Sequence, residues 1–294
     1  MNKLFKGCGT AIVTPFKNNK INLDKFKELL EFQIANGVNA VIVCGTTGEA
    51  ATLTDEEKFE LVETAVDICK NKCQVIAGSG SNNTLHSVYL SKQFEKIGVD
   101  GLLVVTPYYN KCNEEGLYLH YKNIADSVSI PIILYNVPSR TSVNISPNLV
   151  KRLSEISNIC GLKEASGNIT YLTEVMSKID RDNFYVYSGN DELTYTVLSL
   201  GGKGVISVLS NILPYETSKI CSSFFEDKKD YSLSMQLKYI PLIKALFLDV
   251  NPILIKECMN MLNYDVGNLR LPLYKSCKFN NEVLEKVLIN VGLI

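Results

Sequence analysis

The sequence predicts a closed (β/α)8 barrel, an α/β TIM barrel, followed by a C-terminal helical appendage. Three observations carry this reading. Eight short apolar runs recur at regular intervals, amphipathic helical segments separate them, and after residue 211 the pattern turns wholly helical. Apolar runs bounded by helices predict parallel strands buried on both faces, and right-handed crossovers leave a doubly wound sheet or a barrel. Eight evenly spaced units favour the barrel.

In chain order the runs are GTAIVTPF from residue 9, AVIVCGT from 40, QVIAGSG from 74 and GLLVVTPY from 101, then PIILYNVP from 131, ICGLKEAS from 159, FYVYSGN from 184 and GVISVLS from 204. Between the first two, LDKFKELLEFQIANG places Phe26, Leu29, Leu30 and Ile34 at helical spacing and stops at Gly37. The next helix opens with Thr54 as N-cap and acidic residues in its first turn. GGKGV at 201–205 lacks the spacing of a phosphate loop, and Gly201 and Gly202 are better explained as a helix C-cap before the eighth strand. The expected division is residues 1–226 as the barrel that carries the active site and 227–294 as the helical region.

Composition narrows the partners. Of 294 residues 46% are hydrophobic and 21% charged, with 30 Lys and Arg against 31 Asp and Glu. A net charge of −1 supplies no field for nucleic acid or an anionic membrane, so the expected partner is a small molecule. The longest apolar stretches fall short of the roughly 18 residues of a spanning helix. The N-terminal apolar segment, broken by Gly9, Thr10, Thr14 and Pro15, is a poor signal sequence, and a cytoplasmic protein is expected. Nine cysteines, several inside apolar runs, read as reduced packing residues. Cys69 and Cys73 lie four apart, but with only two histidines in the chain no metal site is expected.

In a parallel barrel the active site forms at the carboxyl ends of the strands. Seven of these ends combine Gly or Pro with Ser, Thr, Tyr or Asn, which turns alone can explain singly. Lys163 closes an apolar run, where a lysine is rarely buried without a partner or a task. With an ordinary pKa of about 10.4, roughly one lysine in 2,500 is neutral at pH 7, and burial is what frees the lone pair of Schiff-base lysines. The alternative is a rim lysine whose head reaches water or pairs with Glu164. Tyr135, at the end of the preceding strand, is placed to relay protons where histidine is scarce. Arg140 in the following loop can hold a carboxylate bidentately, or be an ordinary solvated arginine. The turn at Thr46 and Thr47 can cradle another anion with N–H and hydroxyl groups.

The motifs GTTGEAATLT, TPYYNK, YNVPSRT, GLKEASGN and SGND, in this order, resemble those of the dihydrodipicolinate synthases, within the N-acetylneuraminate lyase superfamily of class I aldolases. The resemblance spans essentially the whole chain. It implies that Lys163 forms an imine with pyruvate and that Tyr135, Thr46 and Tyr109 form a proton relay, Tyr109 being lent by a neighbouring subunit. It further implies that Thr46 and Thr47 hold the pyruvate carboxylate and that Arg140 binds the carboxylate of L-aspartate 4-semialdehyde. Gly189 and Ile206 offer main-chain groups near the lysine. The product is 4-hydroxy-tetrahydrodipicolinate, on the route to lysine and diaminopimelate. No metal or organic cofactor is implied, and the assembly implied is a homotetramer built as a dimer of dimers.

Two departures stand out. In feedback-inhibited members, lysine binds a dimer-interface crevice through residues that include two histidines and a glutamate. Ala51, Asn82 and Tyr108 keep that pattern here, whereas the histidine positions fall on Asp55 and Lys58 and the glutamate position on His86. Exchanging an acid for a base at a site for a cationic ligand predicts weak or absent inhibition by L-lysine. Cys112 stands where the family commonly has proline. The rival readings are another pyruvate aldolase of the superfamily, cleaving N-acetylneuraminate or a keto-deoxy sugar acid, and a catalytically silent metabolite-binding homologue.

Overall fold

The computed structural model describes residues 4–294. Eight parallel strands close into a barrel in sequence order: β1 (Gly7–Ala11), β2 (Ala40–Val43), β3 (Gln74–Gly78), β4 (Gly101–Val105), β5 (Ile132–Asn136), β6 (Ile159–Glu164), β7 (Tyr185–Ser188) and β8 (Gly204–Ser207), with β8 pairing back onto β1. The first strand ends earlier than its apolar run. Residues from Phe16 onward leave the barrel as a two-stranded hairpin, Phe16–Lys17 with Lys20–Ile21, turned by Asn18 and Asn19, both at positive φ. Two central residues with φ above zero are what a tight hairpin turn requires, and asparagine tolerates them.

Strand alternation sorts side chains into two layers. Phe5, Ile42, Ile76, Leu103, Ile133, Tyr135, Tyr187 and Ile206 fill the barrel interior. Val41, Val75, Leu102, Leu134 and Leu162 face outward under the helices, where the main core lies. Tyr135, Lys163 and Tyr187 are register partners across β5, β6 and β7, so all three share the inner face.

The local helix signals operate as the sequence predicts. Helix Leu23–Ala35 is capped by Asn22, buries Phe26, Leu29 and Leu30, and gives way to Gly37 at φ +77°. Thr54 and Glu57 form a capping box at the start of Asp55–Cys69. Gly201, at φ +99°, and Gly202 donate to the carbonyls of Leu198 and Val197, closing the preceding helix. No helix is long and apolar enough to cross a membrane among the described residues.

After the barrel helix Pro214–Phe225 come Lys229–Leu246, Ile253–Met261 and Lys278–Asn290. The stretch from Asn251 to Arg270 is pinned to the loop after β2. Lys256 Nζ, inside this helical region, donates to Glu49 at 2.8 Å, to the carbonyl of Asn268 at 2.9 Å and to that of Thr14 at 3.1 Å. Arg270 grips the Glu57 carboxylate with both terminal nitrogens, and its backbone N–H donates to Glu49. Burial pulls the Lys256 ammonium pKa down, and the Glu49 charge and hydrogen bond restore part of it. A buried pair is a poor source of net stability, but its geometry is costly to break.

Candidate active site

The loop after β2 begins with Cys44 at φ +55° and turns tightly through Gly45 to Glu49. The approach of β3 is so close that a Cβ on Gly78 would lie 2.2 Å from the Cys44 carbonyl oxygen, which explains the glycine there. Within the turn, the N–H groups of Gly48 and Ala50 donate to Gly45 and that of Glu49 to Thr46. The N–H groups of Thr46 and Thr47 donate to no partner among the described residues. Two free amides beside two hydroxyls make a seat for a carboxylate.

Lys163 is 6% exposed, which excludes the alternative of a rim lysine whose head reaches water. Its Nζ lies 4.3 Å from the centroid of the Tyr135 ring and makes no hydrogen bond or ion pair among the described residues. The pairing with Glu164 does not form, because successive strand residues point to opposite faces. Glu164 faces outward, where its carboxylate accepts from Asn136 Nδ2 at 2.8 Å and from the Ser166 N–H at 2.6 Å. Burial raises the Glu164 carboxyl pKa against the pull of these hydrogen bonds. Lys163 is thereby left as a shielded primary amine with an aromatic face for a neighbour.

A cavity of about 500 Å³ opens above this level, lined by Thr46, Tyr135, Arg140 and Asn251 among others. Lys163, Thr47, Gly189 and Ile206 are not part of its lining; Thr47 is buried behind it, against Asn251. Gly189 lies against β6, where its N–H donates to the Glu164 carbonyl at 2.7 Å and a Cβ would strike Ala165. Ile206 is buried inside the barrel. Arg140 sits in the short helix Pro138–Thr141 after β5, and its Nη2 donates to the Asn251 carbonyl at 2.9 Å. Tyr109 is not brought to the cavity. It is 92% exposed and held at φ +71°, whereas its neighbour Tyr108 lines the wall.

The residues at the degenerate effector positions lie beside the same space: Ala51, Lys58, His86 and Tyr108 all line it. Asp55 accepts from Lys58 Nζ and from His86 Nε2, each at 2.9 Å. Burial would raise the Asp55 carboxyl pKa, but the His86 and Lys58 hydrogen bonds overcome it and hold the group below its ordinary range. The Asn82 carbonyl accepts from the Asn110 side chain at 2.9 Å. Asp55, Lys58 and His86 in this crevice are thus engaged with one another.

Sequence reasoning missed the contribution of the C-terminal region. Asn251, Pro252, Pro272 and Leu273 complete the cavity wall. The only signal was the Asn-Pro dipeptide, which announces a turn and says nothing about what the turn reaches.

A model of the Dihydrodipicolinate synthetase family matches residues 4–290. A 4-hydroxy-tetrahydrodipicolinate synthase of Caldicellulosiruptor saccharolyticus is 50% identical over 292 residues, covering 99% of this chain and 98% of that protein. One of Acetivibrio thermocellus is 48% identical over 291 residues, covering 99% of each. The solved dihydrodipicolinate synthase of Thermotoga maritima superposes with a TM-score of 0.97 at 43% identity, covering 99% of this chain and all of that one. With matches that run end to end in sequence and in three dimensions, and with an unpaired barrel lysine against Tyr135, which lines one cavity with Thr46, this chain belongs to the dihydrodipicolinate synthetase family.

Proposed function

We propose that the protein condenses pyruvate with L-aspartate 4-semialdehyde to 4-hydroxy-tetrahydrodipicolinate, as a lyase of class I aldolase type on the route to lysine and diaminopimelate. The observation that carries this reading is Lys163: a buried primary amine without an acid partner, against Tyr135, which lines one cavity with Thr46. The pyruvate carboxylate sits on Thr46 and Thr47. The Lys163 amine attacks the ketone carbon, and loss of water gives the imine. A proton leaves the methyl carbon to form the enamine, which attacks the aldehyde carbon of the second substrate. The substrate's own amine then displaces Lys163 and closes the ring, so one water is released overall. Tyr135, Thr46 and Tyr109 move the protons, Arg140 receives the semialdehyde carboxylate, and main-chain groups of Gly189 and Ile206 orient the reacting end.

The barrel, residues 1–226, carries the reacting groups in this reading, and residues 227–294 form the helical region that finishes the cavity. Tyr109 supports an assembly in which it completes a neighbour's relay, since it is exposed and outside the lining of its own cavity; we infer a homotetramer, a dimer of dimers, working in the cytoplasm. The degenerate effector site, Ala51, Asp55, Lys58, Asn82, His86 and Tyr108, leaves the enzyme nearly insensitive to L-lysine. Pyruvate consumption with the semialdehyde, with N-acetylmannosamine and with no aldehyde tests the function, with Lys163→Ala as control. Turnover with the semialdehyde alone is expected. Turnover with the sugar alone would overturn the assignment of Arg140 and keep the imine, and failure of borohydride to trap pyruvate on Lys163 would leave a silent homologue.

A further inference from the structure

Asn251 lies 204 residues from Thr47 in sequence yet touches it, and no step of the proposed reaction uses it. The residue is 7% exposed and forms part of the cavity wall. Nδ2 donates to Thr47 Oγ1 at 3.0 Å, and the main-chain carbonyl accepts from Arg140 Nη2 at 2.9 Å. Oδ1 is buried and has no partner among the described residues.

A threonine hydroxyl has one proton and two lone pairs. The N–H from Asn251 occupies a lone pair on Thr47 Oγ1 and leaves the proton for another acceptor. No group among the described residues takes that proton, although Thr47 is buried. A carboxylate seated on the neighbouring amides would. We infer, on the pyruvate reading of the Thr46–Thr47 turn, that Asn251 is a positioning residue whose side-chain amide holds the Thr47 hydroxyl as a donor toward the pyruvate carboxylate, while its backbone carbonyl anchors Arg140 at the second carboxylate seat.

The two tasks use different atoms, so side-chain substitution separates them. Aspartate offers Thr47 no N–H, takes the hydroxyl proton for itself and sets a negative charge beside the seat. Alanine only removes the orienting bond. The closest mimic in size is therefore the more harmful change, and Arg140 keeps its main-chain anchor in both.

The test is the pyruvate concentration that gives half-maximal borohydride trapping on the full chain, together with KM for the semialdehyde. Asn251→Ala raises the first by about threefold and Asn251→Asp by at least about tenfold, while the semialdehyde KM stays within about twofold. An Asp variant that binds pyruvate as well as the Ala variant would overturn the inference, because the hydroxyl proton would then face residue 251. An equal rise for both substrates would also overturn it and leave Asn251 a packing residue. Should the Asp variant not fold, Asn251→Ala in a Thr47→Val background decides: no further loss is expected, and an additive loss contradicts the coupling. Absence of trapping in the wild-type protein would instead overturn the imine reading, so the two failures appear in different samples.

Discussion

Lys163 and Lys256 are both almost wholly shielded from water, at 6% and 1% exposure, yet their surroundings are built on opposite terms. Lys256 has a carboxylate and two carbonyls around its Nζ, with the ring of Phe16 alongside. Lys163 has the ring of Tyr135 and no hydrogen-bond acceptor among the described residues. An ammonium enclosed by acceptors serves as a clamp. An amine enclosed without them has its nitrogen unengaged and open to an electrophile. The contrast locates chemistry at β6 and mechanical support in the helical region, with Glu49 and Thr47 in the loop after β2 joining the two.

Exchanging what each lysine lacks tests that contrast. Lys163→Ala is expected to lower kcat by at least about a thousandfold with little change in Tm, since an amine without partners leaves none orphaned. Residual turnover within about tenfold of wild type would place the nucleophile elsewhere. Lys256→Ala, by contrast, strands the Glu49 carboxylate in the interior and should cost about 3–5 kcal/mol in denaturant unfolding. Most of that loss should return in the double variant Lys256→Met with Glu49→Gln, and a single-variant loss below about 1 kcal/mol would show that the clamp holds nothing.

His120 provides a smaller and pH-dependent version of the same contrast. It is a buried base whose Nδ1 bonds Thr84 Oγ1 at 2.9 Å and whose Nε2 has no partner among the described residues. Burial pulls its pKa down to about 4. Above about pH 6.5 the ring is neutral in both folded and unfolded chains and nothing is lost. As pH falls from there to about 4 the unfolded chain takes up a proton that the folded one refuses, so stability drops by up to about 3 kcal/mol and then levels off. Urea midpoints of wild type and His120→Asn between pH 7 and 4 should converge toward acid, and parallel curves would refute the assignment. The smallest effect is expected from L-lysine. With Asp55 already bonded to Lys58 and His86, a concentration of about 1 mM, corresponding to roughly 4 kcal/mol of affinity, should not reach half-inhibition.

Much of the site was readable because it sits where strand order and strand ends place it. Lys163 and Tyr135 close consecutive parallel strands, so their meeting follows from the barrel and the inward parity they share. That parity also excludes the Lys163–Glu164 pair, since neighbours in a strand face apart. The hairpin turned by Asn18 and Asn19 was not anticipated: it starts at Phe16, the last residue of the first apolar run, and turns in the polar stretch that follows. That Lys163 is buried yet outside the cavity lining was not readable, because it depends on how side chains distant in sequence pack around it.

Local chemistry alone determined the eight strands, the capped helices between them, the amide-rich turn at Thr46–Thr47 and the lysine next to the end of β6, for each is written in residues close together in the chain. Tertiary structure decided which buried lysine is left without acceptors and which residues complete the wall. Asn251 and Lys256 reach partners 204 and 207 residues away, and contacts of that span are selected by the packing of the whole chain, where hydrophobic periodicity has nothing to say about them.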